Sequence, residues 1–150
     1  MPNETQGWTR DQMAARAALE LKPEAPLLMI ALAQATLASR DVEDIPKAEA
    51  LLKAAITREP SNSYAWYLLA DVYARGGNDA LAKYATAERF YALGDVESAR
   101  SFAQRAQEDL PRNEPQWRRA SDIIVVADTQ LATKKGRRGG RKPVASLTLR

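Results

Sequence analysis

Histidine and cysteine, the side chains on which many catalytic and metal sites depend, do not occur among the 150 residues of this sequence. Zinc sites in proteins rely on histidine and cysteine ligands, and proton transfer near neutral pH relies most often on histidine. The absence of both residues excludes the Ser-His-Asp triad, the Cys-His pair and the HExxH zinc helix. We therefore expect no metal site, no cofactor and no catalytic residues of these kinds.

The 19 acidic residues leave a carboxylate-only hydrolase as an enzymatic alternative. Two carboxylates can share such a reaction when they face each other across the substrate. Nineteen acids on helix surfaces form pairs by chance, and a catalytic pair also needs a closed pocket that raises the pKa of one acid. We therefore favour a binding function over an enzymatic one.

Basic residues are concentrated at the carboxyl end of the chain. Residues 1–130 hold all 19 acids and 15 of the 22 bases, a net charge of −4, whereas residues 131–150 hold seven bases and no acid. This one-signed, glycine-containing stretch predicts a disordered basic tail over 129–150. The candidate anion-contacting residues in it are Lys134, Lys135, Arg137, Arg138, Arg141 and Lys142.

Two interpretations of this tail stay open. It is either a solvated or non-native extension, or a segment that contacts the phosphates of nucleic acid or lipid headgroups. No aromatic residue is interleaved with the bases to stack on nucleobases, which argues against a role in reading base sequence, and nucleic acid is the less expected partner. No apolar run approaches the roughly 20 residues that span a bilayer, so we expect no transmembrane segment.

Helices must position these side chains. Alanine, leucine, glutamate and arginine dominate the body, and apolar residues recur at spacings of three and four. Turn signals divide residues 9–128 into seven predicted helices: 9–21, 26–39, 46–58, 63–75, 79–93, 96–110 and 115–128. Residues 1–8 are left as an amino-terminal extension. The short connections predict antiparallel neighbours, and the fold class is all-α.

Capping residues support these boundaries. Side-chain oxygens that can accept from the first free amides of a helix occur at Asp44, Asn62, Asn78, Asp95 and Asn113. Glycines suited to left-handed helix ends occur at Gly77 and Gly94.

A period of 17 residues runs through the body. Pro60 and Pro111 are 51 residues apart, as are Trp66 and Trp117. A tetratricopeptide unit has about 34 residues in two helices, so 17 residues correspond to one helix with its turn. The spacing thus indicates a helical repeat.

Residues 63–82 carry the first resemblance. The stretch SYAWYLLADVYARGGNDALA resembles a tetratricopeptide repeat, with signature positions at Trp66, Leu69, Ala70, Tyr73, Gly77 and Ala82. The resemblance implies a right-handed superhelical solenoid of antiparallel helix pairs, in which most signature residues pack between helices. A further match, FYALGDVESARSFAQRAQEDLP, begins half a repeat early, so the helix over 79–93 has two alternative roles.

A second resemblance covers roughly residues 10–124. The strings PEAPLLMIALAQATLAS, KAEALLKAAITREPSNSYAWYLLADVYARGG and AERFYALGDVESARSFAQRAQEDLPRNEPQWRRASDII are similar to the carboxy-terminal repeat region of bacterial periplasmic HExxH zinc metalloproteases, the group containing the beta-barrel assembly-enhancing protease. The resemblance implies a non-catalytic helical portion, a periplasmic location, and a protease domain or an outer-membrane assembly component as partner. None of the family's catalytic residues is present, and the opening residues show no secretory signal.

The expected function is a scaffold that binds a protein or peptide on its concave face. One helix presents Tyr64, Tyr67, Asp71 and Arg75 along a stripe beside the packing residues. Gln34 occupies a related position in the preceding unit, and Tyr84, Glu88 and Tyr91 join the surface if their helix takes the first-helix role. The alternatives are that these are ordinary exposed residues, or that the chain is an adaptor acting through its basic tail.

Overall fold

A computed structural model describes residues 7–140, and every regular element in that range is helical. Seven α-helices follow one another: α1 Arg10–Leu21, α2 Pro26–Ala38, α3 Ile45–Arg58, α4 Ser63–Arg75, α5 Asp79–Leu93, α6 Val96–Asp109 and α7 Pro115–Gly139. One 3-10 turn, Val42–Asp44, precedes α3. The all-α class and the seven helices are confirmed for these residues, and only the end of α7 lies far from its predicted position.

Polar side chains start several helices as predicted. Asn62, Asn78 and Asp95 accept hydrogen bonds from the third amides of α4, α5 and α6 at 3.0, 3.1 and 3.1 Å. Thr9 forms a reciprocal capping box with Gln12 at the start of α1. At the end of α5, Gly94 adopts a left-handed conformation with φ 77°, which favours glycine because it lacks a Cβ.

Two predicted caps are wrong. Asp44 occupies the cap position of α3, but its side chain makes no capping bond. Its carboxylate instead accepts from the Ser39 hydroxyl at 2.8 Å and pairs with Lys47 at 3.3 Å. Asn113 lies one residue too early, because Glu114 is the cap position of α7 and makes no side-chain capping bond. The error at Asp44 arises because a polar residue near a helix start has other partners within reach.

The helices pack in consecutive pairs. Arg58 at the end of α3 donates to Glu24, just before α2, at 3.0 Å, so these two helices run antiparallel. Lys83 near the start of α5 pairs with Asp109 at the end of α6 at 2.6 Å, so α5 and α6 also run antiparallel. Beyond these pairs, α2 contacts α4 and α5 contacts α7. Helices α4 and α5 therefore each pack against three others.

Two apolar cores hold the pairs together. The first lies among α2, α3, α4 and α5, with Leu52 and Val72 nearly inaccessible and Trp66 buried as predicted. The second lies among α5, α6 and α7 around Ile123. The second core is rich in fully buried alanines, whose small side chains allow close approach of helices: Ala87, Ala99, Ala103 and Ala120.

The predicted disorder from residue 129 is wrong as far as residue 139, because α7 runs for 25 residues and ends at Gly139. Between Gln116 and Lys135 there is neither proline nor glycine to stop the helix. The hydroxyls of Thr129 and Thr133 also bond back to the carbonyls four residues earlier, each at 2.9 Å. Local helix propensity therefore outweighs the repulsion among the basic residues.

Candidate functional site

Two tyrosines of α4 form the most exposed aromatic feature of the described residues. The side chains of Tyr64 and Tyr67 are 43% and 47% exposed, and their rings stack with centroids 5.9 Å apart. The guanidinium carbon of Arg89 on α5 lies 4.8 Å from the centroid of the Tyr67 ring. We refer to Tyr64, Tyr67 and Arg89 as the tyrosine surface. Sequence reasoning predicted both tyrosines as contacts but missed Arg89.

The local sequence explains why these tyrosines face outward. On α4 the residues Ala65, Leu68 and Val72 are buried beside the signature residues, so two neighbouring arcs of the helix are committed to the core. Only the remaining arc is left for Tyr64 and Tyr67. Because the backbone of α4 is fixed on both sides by packing, the stacked pair is held on a rigid element.

Asp71 and Arg75 continue this arc but have structural partners. Their side chains form an ion pair at 2.9 Å, one helical turn apart. Arg75 also donates through Nη1 to the carbonyl oxygen of Leu37, near the end of α2, at 2.9 Å. Carbonyls at a helix end lack partners within the helix, so Arg75 supplies one from a different helix. Arg75 is exposed as predicted, and its guanidinium also has two partners within the fold.

Gln34 is exposed on α2, the helix that α4 contacts. No hydrogen bond within residues 7–140 joins its side chain to the tyrosine surface. Gln34 is therefore accessible to solvent but is not part of the tyrosine surface.

The remaining predicted contacts, Tyr84, Glu88 and Tyr91, are on α5 and do not belong to the tyrosine surface. Glu88 is not exposed. Glu88 is only 4% accessible and accepts two hydrogen bonds from Arg119 of α7, from Nε at 2.6 Å and from Nη2 at 3.0 Å. The Tyr84 hydroxyl donates to the same carboxylate at 3.0 Å. Tyr91 lies under the Arg119 guanidinium at 5.1 Å. The prediction of Glu88 as a partner contact is wrong, because its charge is satisfied inside the fold.

The network formed by Tyr84, Glu88 and Arg119 raises the pKa values of the tyrosine and the arginine. Burial raises the pKa of the Tyr84 hydroxyl well above its ordinary value, and the adjacent negative charge of Glu88 raises it further. The hydrogen bond to Glu88 raises the pKa of Arg119. Both groups therefore keep their protons through the physiological range, and neither is suited to proton transfer near pH 7.

A cavity of about 380 Å³ adjoins this network. Its walls come from the loop before α4 and from three helices, and its lining residues are Pro60, Ser61, Trp66, Glu88, Tyr91, Ala92 and Arg119. The Trp66 indole donates to the Pro60 carbonyl at 2.8 Å, which fixes the loop against the ring. The cavity is therefore bounded by side chains that already have partners.

A larger cavity of about 560 Å³ lies between α1 and α3, over α2. Leu19, Leu32 and Leu51 contribute apolar surface from three different helices. Trp8 also borders it, with the Arg16 guanidinium 4.8 Å from its ring. Trp8, which the sequence analysis places in the amino-terminal extension, therefore lies beside a cavity lined by three helices.

The basic residues predicted as anion contacts are placed on a helix as far as they are described. Lys134, Lys135, Arg137 and Arg138 are exposed on the last turns of α7. Arg141 and Lys142 lie outside the described residues.

Two other kinds of site are absent from residues 7–140. No cluster of three or more acidic, histidine or cysteine side chains is arranged there to hold a metal ion. None of the described helices combines the length and apolarity that a membrane crossing requires. Comparison with known protein families found no family model that matches the chain, and comparison with curated proteins found no match.

Proposed function

We propose that this chain is a protein-interaction scaffold that binds an extended peptide segment of a partner on the tyrosine surface. The observation that carries the proposal is the exposed, stacked pair Tyr64 and Tyr67, held on a helix whose other faces are buried. In this proposal the helix pairs form a right-handed tetratricopeptide-like superhelix. Helices α2 and α4 then line its inner face.

The chemistry of the tyrosine surface suits a peptide. Tyrosine contributes a large contact area and loses little rotamer entropy on binding, and it is enriched among residues that dominate binding energies. Arg89 rests on the Tyr67 ring, which orients its guanidinium before any partner arrives. The Asp71–Arg75 pair one turn away adds charges of both signs that can orient a peptide backbone.

We further propose that the partner is either a protease domain or an outer-membrane assembly component in the periplasm. These are the partners that the resemblance to the metalloproteases implies. The support is the order of the three sequence strings over residues 10–124. Sequencing the coding region upstream of this chain tests the relationship. An in-frame HExxH segment supports it, and an unrelated upstream gene argues against it.

Selection from a peptide library tests the scaffold itself. Peptides selected on the wild-type chain are measured by fluorescence anisotropy against the double variant Tyr64→Ala, Tyr67→Ala. We expect binding to weaken at least tenfold, since central aromatic contacts typically contribute about 1–2 kcal/mol or more each.

The matched control removes an exposed apolar side chain elsewhere. Val125 on α7 is 63% exposed, and Val125→Ala is expected to leave the affinity unchanged. If the selected peptides bind the double variant as tightly as the wild type, the tyrosine surface is not the site. If no peptide binds any form of the chain, the scaffold proposal itself is overturned.

A further inference from the structure

The carboxyl end of α7 displays cations on a rigid helix. From Thr129 to Gly139 the chain contains four basic residues and no acidic one. All four are exposed, and none of them takes part in an ion pair within residues 7–140. The ion pairs of α7 lie earlier, at Arg119 and Asp128. The positive charge of the last turns is therefore not neutralised within the described fold.

Three of these cations share one side of the helix. At about 100° per residue, Lys134, Arg137 and Arg138 fall within an arc of about 100°. We call these three residues the basic face. Gln130 and Thr133 lie one turn earlier and line the same recess on α7 as the basic face. Lys134 lies one turn before Arg137 and Arg138, about 4.5–6 Å away from them along the helix axis.

We propose that the basic face binds the phosphate backbone of a nucleic-acid duplex without reading its base sequence. A duplex presents phosphates at close and regular intervals, which suits cations at fixed spacings on a helix. The residues of the basic face are positively charged and have no ion-pair partner within the described residues. Both features favour a polyanion as the ligand. This inference is independent of the peptide-binding proposal, because it concerns a different helix and a different ligand.

The composition of the last turns favours a duplex over a single strand. Proteins that hold single strands stack bases on aromatic side chains. No aromatic residue follows Trp117 in the sequence. The proposal places the contacts on phosphates, which are the same for every base sequence.

The composition also disfavours a membrane surface. A helix that lies in a bilayer interface needs an apolar face opposite its basic one. Over residues 129–139, Leu131 is the only large apolar side chain, and it is half-buried. The last turns of α7 therefore have no apolar stripe to insert between lipids.

The test uses the full chain and labelled 24-base-pair DNA and RNA duplexes of two unrelated sequences. Fluorescence anisotropy is measured from 50 to 250 mM salt. We expect similar affinities for both sequences and a loss of about 10- to 100-fold for the triple variant Lys134→Gln, Arg137→Gln, Arg138→Gln at 50 mM salt. The slope of log affinity against log salt should fall by about 2.7, since each lost phosphate contact removes about 0.9.

A matched control changes the net charge equally. Arg10, Lys22 and Arg118 are exposed bases elsewhere in the structure, and none is ion-paired within the described residues. Replacing these three by glutamine should reduce the slope by less than one. Circular dichroism checks that both triple variants keep their helix content.

Three results would overturn the proposal. Equal losses in the two triple variants would show that net charge, not the basic face, governs binding. A wild-type chain that binds no duplex at 50 mM salt would exclude nucleic acid. Binding to vesicles containing phosphatidylserine, sensitive to the basic-face variant and without duplex binding, would assign the surface to a membrane.

Discussion

Arg119 and Glu88 are joined by two hydrogen bonds, at 2.6 and 3.0 Å, although 31 residues separate them in the sequence. The pair links α7 to α5, and the carboxylate is almost fully buried while the guanidinium is partly exposed. Removing the cation leaves a buried carboxylate with only the Tyr84 hydroxyl as its side-chain partner. The pair therefore fixes the relative position of two helices that are not neighbours in the chain.

The first prediction follows from this pair. Arg119→Met should lower the free energy of unfolding by about 2–4 kcal/mol, because it strands a buried charge. Urea unfolding followed by circular dichroism measures the change. The double variant Glu88→Gln, Arg119→Met should recover part of the loss. A matched control is Arg58→Met at the exposed pair with Glu24, which should cost less than about 1 kcal/mol. Equal costs at Arg119 and Arg58 would contradict the structural role of Glu88.

The second prediction concerns stability at high pH. The pKa of Tyr84 is raised by burial and by the charge of Glu88. In the unfolded chain this hydroxyl loses its proton near its ordinary pKa of about 10. The folded state then binds more protons than the unfolded state, so the free energy of unfolding falls as pH rises above about 10.

Tyr84→Phe removes this contribution, so its stability should decline less steeply between pH 9 and 11 than that of the wild type. The comparison isolates Tyr84, because the other groups with raised pKa values are retained in both proteins: Tyr73, Lys53, Lys83 and Arg119. Parallel stability profiles for the two proteins would show that Tyr84 ionises normally in the fold.

The third prediction concerns packing between pairs. Ala70 and Ala82 are partly buried against the first core, as the repeat signature predicts. Replacing either by leucine should overpack the contact and cost about 1–3 kcal/mol. Ala74→Leu on the exposed side of α4 is the control and should change stability by less than about 0.5 kcal/mol. Thermal unfolding that does not distinguish the three variants would refute the assigned packing positions.

The fourth prediction concerns Arg75. Its bond to the Leu37 carbonyl joins the ends of α4 and α2, so Arg75→Ala should destabilise the fold by about 1–2 kcal/mol. Arg118→Ala, which removes an exposed arginine without an ion pair in the described residues, should be nearly neutral. Equal unfolding midpoints for the two variants would show that the bond from Arg75 to the Leu37 carbonyl does not stabilise the fold.

Local signals made the helices predictable. Asn62, Asn78 and Asp95 act within one turn of their own helices, so each cap can be read from a few adjacent residues. The end of α7 was mispredicted because its charge was weighed above its helix propensity. Residues 129–135 contain no proline or glycine, and the helix continues through them and past Gly136 to Gly139.

The site was less predictable because its contacts are distant in sequence. Tyr67 was identified from its own helix, but Arg89 reaches it from α5. Glu88 carries the spacing of a surface residue, and only Arg119 on α7 makes its burial tolerable. No pattern within one helix contains information about such partners.

The ring signals of the tyrosines test the central proposal most directly. The chain has five tyrosines, so selective ring labelling gives a small set of resonances that can be assigned by substitution. A peptide selected on the wild-type chain is titrated in and the shifts are followed. We predict that the signals of Tyr64 and Tyr67 move with the peptide concentration, while those of buried Tyr73 and partly buried Tyr84 stay nearly fixed. Saturable shifts confined to Tyr91, or no shift at Tyr64 and Tyr67 when the peptide is bound, would contradict the tyrosine surface as the binding site.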